Sequence, residues 1–293
     1  MERNNAFSAC HPAVCALYFG LVLVCSMCLT HPVCLGISLV SAVLCRRSLC
    51  EGKTARLTMR LLLPLLLLTA LINPAFNHRG VTILGYLPSG NPLTLESALY
   101  GLAAAGMLLS VLLWCACLSE VMTSDKLLCL LGRTVPALSL LLSMTLRFVP
   151  RFGTQLRQVA AAQRGLGPDV SEGRPLQRLR RGGAILSILL TWSLENAVET
   201  ADSMKGRGYG LPGRTAYHPY TLSGRDRGLL LWLSLCGLYL ICGWQTGCFY
   251  WRYFPMLLWG TVSPLTVTFY LCYLALCLTP VFLNRREERL WRL

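Results

Sequence analysis

The chain alternates between long apolar runs and short clusters of charged residues. Four runs contain no Asp, Glu, Lys or Arg, namely residues 12–45, 97–119, 228–251 and 253–284. A helix needs about 20 apolar residues to cross a hydrocarbon core of about 30 Å, and each run is long enough. A shorter run at 61–78 is rich in leucine. The pattern predicts an all-α polytopic membrane protein.

The first run leaves two interpretations open. It is interrupted by His31-Pro32, and proline disfavours a helix that continues through the residue before it. Two crossings joined near 30–32 are one interpretation, and a re-entrant second element is the other, because 33–45 is short. With the later runs, about six transmembrane segments are expected. The later crossings are predicted at 61–76, 97–119, 228–243 and 254–283.

The connection between the predicted crossings at 61–76 and 97–119 is expected to be irregular. Segment 73–95 is dense in glycine, proline and asparagine, which indicates a loop or a re-entrant element. Asn91-Pro92 has the residues of a helix start, a cap followed by proline at the first position. Within the helix that follows, Gly101 and Gly106 are expected to allow close approach of another helix.

Charge fixes the predicted orientation. The formal net charge is +14, and residues 147–227 contain 13 basic and 6 acidic residues, so that segment holds +7. Further basic clusters lie at 46–60 and 285–292, whereas the loops 77–96 and 244–252 carry one arginine each. Positively charged loops stay on the cytoplasmic side, so the three basic regions are expected inside. A mean hydropathy of +0.53 excludes an ordinary soluble domain.

The chain changes character after residue 120. The apolar runs 134–146 and 183–194 are too short to span comfortably, and charged residues are interleaved with them, which favours helices at or below the inner membrane face. Pro150 is expected to kink or restart the first helix. The second is expected at about 183–206, after a polar loop at 165–182. We therefore predict three parts: an N-terminal bundle (1–119), cytoplasmic or interfacial coupling helices (120–227) and a C-terminal hairpin with a basic tail (228–293).

Two helix ends stand out in this middle part. Gln163-Arg164-Gly165 and Gly206-Arg207-Gly208 each close an apolar-periodic run, and a proline follows shortly after each. Arginine in the last turn with glycine just beyond is typical of a helix C-terminus. The simplest interpretation is that each arginine only complements the helix dipole, worth about 0.3–1 kcal/mol. Two equivalent ends in one basic segment favour a binding role instead.

The charges along the same helices suggest a contact. Glu195, Glu199 and Asp202 are spaced i, i+4, i+7 and share one face, and Arg157 and Arg164 are seven residues apart. One hypothesis is that the two helices cross with these charges opposed. The alternative is that both charged faces are solvated without touching.

The sequence offers no catalytic, cofactor-binding or metal site. Its 15 cysteines lie mostly in apolar runs, where cysteine behaves as a small hydrophobic residue, and its four histidines are scattered. Gly52-Lys53-Thr54 looks like the end of a phosphate-binding loop, but Arg47 stands where that loop needs glycine. A nucleic-acid partner is not expected, because membrane topology already accounts for the positive charge.

These features resemble the transmembrane T component (EcfT, CbiQ-like) of energy-coupling factor transporters. Members carry two short Ala-Arg-Gly-type motifs at the ends of cytoplasmic coupling helices. The similar stretches here are 73–100, 146–152, 162–165, 201–204 and 205–209. The residue before each arginine is Gln163 or Gly206 rather than alanine, so packing at the two ends is expected to differ, and Gly206 is expected to loosen the final turn.

The resemblance implies a non-catalytic subunit in a bacterial plasma membrane. It implies two partner ABC-type ATPases (EcfA-like) that bind the ATP, docked at Arg164, Gly165, Arg207 and Gly208. It also implies a small membrane S subunit that binds a vitamin or metal ion, so that this chain transmits ATP-driven motion. Residues expected to support the coupling helices are Arg147, Arg151, Arg157, Glu195, Glu199 and Asp202.

A stand-alone permease or channel is the alternative function. It would need an ionisable residue deep within a span, facing a pathway. The runs 97–119, 228–251 and 254–283 contain no such charged residue.

Overall fold

A computed structural model of the chain describes residues 6–49, 52–77, 80–86, 92–166, 175–212, 220–260 and 263–290. Within these ranges it contains nine helices and two short pairs of strands. The helices are α1 (Pro12–Cys28), α2 (Pro32–Leu49), α3 (Gly52–Phe76), α4 (Leu95–Val121), α5 (Ser124–Thr134), α6 (Pro136–Leu166), α7 (Pro175–Gly206), α8 (Gly224–Gln245) and α9 (Pro264–Leu290). The strands are β1 (Ile83–Tyr86), β2 (Pro92–Thr94), β3 (Trp251–Arg252) and β4 (Leu258–Trp259).

The helices confirm the predicted all-α polytopic membrane protein. Four of them, α2, α4, α8 and most of α9, are long and apolar enough to cross a membrane, and α1 and the second half of α3 (Pro64–Phe76) are shorter apolar helices. The run 12–45 forms two separate helices. The second of these, α2, continues to Leu49 because Arg46 and Arg47 in its last turn suit the negative end of the helix dipole.

Contacts between sequence-distant residues divide the described chain into two compact units. One comprises Met1–Leu127 and Tyr220–Leu293, and the other comprises Leu128–Pro219. The first therefore joins the N-terminal and C-terminal membrane helices, and the second holds α6 and α7. The three-part division from sequence stays a prediction.

The core of the first unit is built from aromatic and small residues. Tyr18 packs edge-on against Phe19 and Trp114, with ring centroids 5.1 and 6.1 Å away. Hydrogen bonds cross between helices: the Tyr18 hydroxyl donates to the Cys277 carbonyl (2.9 Å), and Trp114 Nε1 donates to Ser38 Oγ (3.1 Å). In a bilayer, close packing and such hydrogen bonds hold helices together because lipid gives no hydrophobic driving force.

Helices α3 and α4 approach closely at one glycine. A Cβ atom on Gly101 would lie 2.8 Å from the Ala70 carbonyl oxygen, so only glycine fits there, whereas nothing lies within 4 Å of a Cβ on Gly106. The predicted close approach is confirmed at Gly101 and not at Gly106.

The connection 73–95 differs from the predicted loop. Helix α3 continues through Asn73 and Pro74 to Phe76, and Pro92–Thr94 forms strand β2 rather than the first turn of α4. Strand β2 pairs antiparallel with β1, and β3 pairs in the same way with β4 in the connection between α8 and α9.

Candidate functional site

Helix α6 contains the first of the two Arg-Gly motifs, Arg164-Gly165, in its last turn. It runs for 31 residues from Pro136 to Leu166 without a break at Pro150, so the predicted restart there is wrong. The Thr154 hydroxyl donates to the Pro150 carbonyl (3.1 Å) in the turn that follows. None of the described residues of α6 is buried. The helix carries four arginines and no carboxylate.

Helix α7 is longer than predicted. It begins at Pro175, eight residues before the expected start, because Pro175 suits the first helical position, where a backbone N–H would have no helical partner. The polar loop predicted at 165–182 is therefore shorter, and residues 167–174 lie outside the described part of the chain. Only Ile185 and Leu189 are buried among its residues.

Aromatic rings join α6 to α7. Phe148 stacks on Trp192 with ring centroids 5.6 Å apart and planes 24° apart, and Phe152 lies 5.9 Å from Phe148 on the same helix. Stacked pairs of this kind add about 0.5–1.5 kcal/mol beyond the area they bury. The contact between α6 and α7 is thus aromatic, whereas one hypothesis from the sequence was a crossing with opposed charges.

The charged residues of the two helices are exposed, except for the half-buried Arg181. Arg157 makes no ion pair with Glu195, Glu199 or Asp202 in the part of the chain that the structure describes. The three carboxylates do share one helix, at the predicted spacing. The residues expected to support the coupling helices, which also include exposed Arg147 and Arg151, therefore keep that role as a prediction.

The C-terminus of α7 has the geometry that the sequence predicts. The Gly208 amide donates to the Lys205 carbonyl (3.0 Å), and the Tyr209 amide donates to the Met204 carbonyl (3.0 Å). Gly208 has a φ of +78°. These two bonds and the left-handed residue define a Schellman motif, in which Gly208 follows the capping residue Arg207. The motif ends the helix sharply and leaves the Arg207 side chain exposed at its tip.

At the end of α6, Gly165 does not have the conformation that Gly208 has after α7, and residues 167–174 lie outside the described part of the chain. The helix continues past Arg164 through Gly165 to Leu166, and Gly165 is not among the described glycines with positive φ. Arg164 is exposed within the last turn. The two ends thus share an exposed arginine, but the described residues show the glycine-terminated turn only after α7.

The two arginines lie at similar distances from the ring contact. Arg164 is 16 residues beyond Phe148 and Arg207 is 15 beyond Trp192, so at 1.5 Å per residue each lies about 22–24 Å along its helix. A guanidinium is always charged and presents a planar fork that matches a carboxylate. The arrangement can bind acidic groups on a partner at two points. Within the described residues, no group of three His, Cys, Asp or Glu side chains could hold a metal ion.

A buried lysine in the membrane unit was not predicted from the sequence. Lys126 is only 4% exposed, and its ammonium donates to the carbonyls of Ser8 (2.5 Å) and Val121 (2.8 Å). Val121 is the last residue of α4, whose terminal carbonyls have no partner within the helix. Lys126 therefore caps α4 and holds the N-terminal turn against it. No local pattern announces this role, because Ser8 is 118 residues away.

The N-terminal turn is held by other long-range contacts as well. The Phe7 amide donates to Asn284 Oδ1 (3.1 Å), and Asn284 Nδ2 donates to Ser48 Oγ (3.2 Å). Arg225 pairs with Glu287, and its guanidinium also donates to Cys10 Sγ (3.8 Å). Burial raises the pKa of the Cys10 thiol, and the nearby Arg225 charge opposes that shift. The raised pKa disfavours the thiolate form that a nucleophilic cysteine needs, so the thiol mainly packs in this cluster.

Several curated proteins that are similar to this chain share one name. A curated protein of Exiguobacterium sibiricum, "Energy-coupling factor transporter transmembrane protein EcfT", is 35% identical over 105 residues, which cover 36% of this chain and 40% of that protein. Proteins of the same name from Lactobacillus helveticus and Bacillus subtilis are 36% and 31% identical over 109 and 98 residues. These matches cover 36% and 33% of this chain, and 39% and 37% of the two relatives. The chain thus matches about two fifths of the length of these relatives.

A family comparison covers more of the sequence. The model of the family CbiQ, described as "Cobalt transport protein", matches residues 4–217 of the 293. That range includes α1 to α7 and both arginine ends. Because the match covers well over half of the chain, the protein belongs to the CbiQ family, the transmembrane T components of energy-coupling factor transporters.

Proposed function

We propose that this chain couples two ABC-type ATPases to a small substrate-binding S subunit, without catalysing a reaction itself. The ATPases, which hold the ATP, dock on the exposed ends of α6 and α7 at Arg164, Gly165, Arg207 and Gly208. The observation that carries the proposal is the exposed Arg207 at the tip of α7, fixed by the Schellman turn at Gly208.

The second unit leaves large apolar side chains exposed, as a surface that binds partners does. Its two helices comprise 31 and 32 residues, yet Ile185 and Leu189 are the only buried residues described in them. Large apolar side chains are exposed at every fourth position of α7: Leu186, Leu190, Leu194 and Val198 are 54%, 54%, 69% and 63% exposed. Contiguous exposed apolar surface of this kind marks an interaction site.

The geometry suits the transmission of motion. With arms of about 24 Å, a rotation of roughly 10° about the Phe148–Trp192 contact displaces each arginine by about 4 Å. Two anchors at separate helix ends let two moving partners change the angle between the helices. Removal of one desolvated charged anchor typically costs about 2–5 kcal/mol of binding free energy.

In this proposal the membrane unit contacts the remaining partners. Its exposed apolar helices contact lipid and the S subunit. The positive charge of the basic segments favours a cytoplasmic position for the coupling helices and the C-terminus, in a bacterial plasma membrane. The cargo is a vitamin or a metal ion, recognised by the S subunit.

Charge reversal at the two helix ends tests the proposal. We expect Arg164→Glu and Arg207→Glu to leave the protein inserted in the membrane and to remove ATPases from its affinity-purified complex. Arg180→Glu is the matched control, because it makes the same charge change at an exposed position near the start of α7. ATPase recovery unchanged in both end variants would reject the docking role, and solute movement by the purified chain alone in vesicles would favour a stand-alone permease.

A further inference from the structure

The strand pair β1–β2 sits where α3 gives way to α4. Strand β1 pairs antiparallel with β2, with Ile83 opposite Thr94 and Tyr86 opposite Pro92, and the register shifts between Ile83 and Gly85. The Leu95 amide, the first of α4, donates to the Thr82 carbonyl (3.0 Å). The pair is therefore fixed directly to the first turn of a membrane-spanning helix.

A buried carboxylate anchors the pair on α4. Glu96 is 3% exposed, and its carboxylate accepts hydrogen bonds from the Thr82 amide (3.2 Å) and the Thr82 hydroxyl (2.7 Å). A Cβ atom on Gly80 would lie 2.5 Å from Glu96 Oε2, so the backbone at Gly80 packs onto the carboxylate. The Ser97 hydroxyl donates to the Asn77 carbonyl (2.6 Å) and ties the end of α3 to the same turn. The position of the strand pair is thus set by specific contacts.

The apolar side chains of this segment, by contrast, are exposed. Val81, Ile83, Leu84 and Tyr86 are 58%, 53%, 60% and 72% exposed. Residues 81–86 and 92–95 contain no charged side chain, and the carboxylate of Glu96 is turned inward. A two-stranded pair that buries none of its large side chains is marginal in water. Something apolar must cover this segment in the assembled protein.

The length of α4 indicates what covers it. Its 27 residues span about 40 Å, which exceeds the hydrocarbon core of about 30 Å by about 10 Å, or about 5 Å at each end. The strand pair joins α4 at its first residue and so lies in the interfacial layer of the bilayer. Strand edges have unpaired backbone groups that cannot enter hydrocarbon but are hydrated at this depth. The exposed apolar ends of α3 and α4, at Phe76 (81%) and Leu99 (38%), are continuous with it.

We propose that residues 81–86 are a membrane-surface anchor that binds the headgroup and upper acyl-chain region of the adjacent leaflet. Ile83 and Leu84 insert among the upper acyl carbons, and Tyr86 lies at the headgroup level that aromatic residues favour. Lipid is favoured over a protein partner because the segment adjoins the exposed apolar ends of α3 and α4, and because residues 81–86 offer no charged group for specific recognition. The anchor fixes the ends of α3 and α4 relative to the bilayer.

Photocrosslinking tests this assignment on the full chain. p-Benzoylphenylalanine replaces Leu84, the protein is reconstituted in phosphatidylethanolamine–phosphatidylglycerol nanodiscs, and intact mass spectrometry after irradiation identifies the adduct. Leu102, 59% exposed within α4, is the lipid-facing control, and Thr200, beside Glu199 on α7, is the polar control. We expect phospholipid adducts at positions 84 and 102 and none at position 200.

Two outcomes would overturn the proposal. One is a position 84 that forms no lipid adduct while position 102 does, and the other is a crosslink from position 84 to a co-purified protein. Tyr86 is the second labelling position if the Leu84 variant fails to insert, because its side chain is the most exposed of the four and already aromatic. The experiment uses neither ATPases nor the S subunit, so its result is independent of the docking role of Arg164 and Arg207.

Discussion

Gly208→Ala is expected to open the end of α7 that presents Arg207. The residue has a φ of +78°, and an added Cβ would lie 3.2 Å from Leu211 Cδ1, the flexible end of a side chain. The steric contact is therefore cheap to relieve, and the cost comes from the backbone. An L-residue in this left-handed conformation costs about 1–2 kcal/mol.

Glycine to alanine should have the opposite effect on helix stability at two glycines within α6 and α7. Gly165 and Gly206 are helical, neither has a positive φ, and nothing lies within 4 Å of a Cβ placed on either. Alanine there should stabilise the helix by about 1 kcal/mol, because it is the better helix former. Gly206→Ala is thus the matched control for Gly208→Ala, because Gly206 is not one of the proposed docking residues.

Amide hydrogen exchange on the purified chain measures the effect. The Tyr209 amide is protected by its bond to the Met204 carbonyl. A cost of 1–2 kcal/mol shifts the closed–open equilibrium about 5- to 30-fold, so Tyr209 protection in Gly208→Ala should fall by that factor or to the unprotected rate. Affinity for the docked ATPase should fall in parallel, and Gly206→Ala should keep it.

Unchanged Tyr209 protection in Gly208→Ala would refute the structural reasoning. Lost protection with unchanged ATPase affinity would keep the Schellman turn but separate it from docking. A loss of affinity in Gly206→Ala as large as in Gly208→Ala would show that the effect does not depend on the left-handed conformation of Gly208.

Three further predictions concern the membrane unit. Lys126→Met leaves the carbonyls of Ser8 and Val121 without their charged donor and should destabilise the protein by about 2–4 kcal/mol in detergent thermal unfolding, whereas exposed Lys205→Met should not. Gly101→Ala should cost about 1–3 kcal/mol in the same assay, and a Tm equal to that of the parent would contradict the close approach to Ala70. Burial lowers the pKa of His31 below its ordinary 6.5, so the unfolded chain binds a proton more readily; stability should fall as pH drops below about 6.5, and His31→Gln should reduce that dependence.

Local rules were enough to predict the membrane architecture and the end of α7. Charge-free runs report helix crossings because the bilayer excludes unpaired charge, whatever the neighbouring helices are. In the same way, a glycine after Arg207 meets a conformational need of the chain itself, since Gly208 adopts the left-handed region that closes the helix.

Contacts beyond the local sequence account for two of the differences from the predicted elements. Asn91-Pro92 reads locally as a helix start, but the Glu96 carboxylate binds Thr82, and β2 is drawn into pairing with β1. Helix α3 stays helical across Pro74 because α4 packs on it at Gly101, whose Cβ would lie 3.2 Å from Pro74 Cδ.

The candidate site shows the same limit. The exposed arginines could be found from their spacing to glycine, whereas the contact between α6 and α7 could not be identified. Charges seven residues apart suggested an ion-pair crossing, and the structure instead brings Phe148 onto Trp192. Single aromatic residues in an apolar run give no signal of which ring they will meet.

The scarcity of buried side chains in α6 and α7 has a consequence for the life of the protein in the cell. Four aliphatic side chains are exposed along one face of α7. Chaperones and membrane proteases recognise such a face as long as no other protein covers it. If the proposed partners cover this face, we expect surplus copies to be degraded, so that the abundance of the protein follows the supply of those partners.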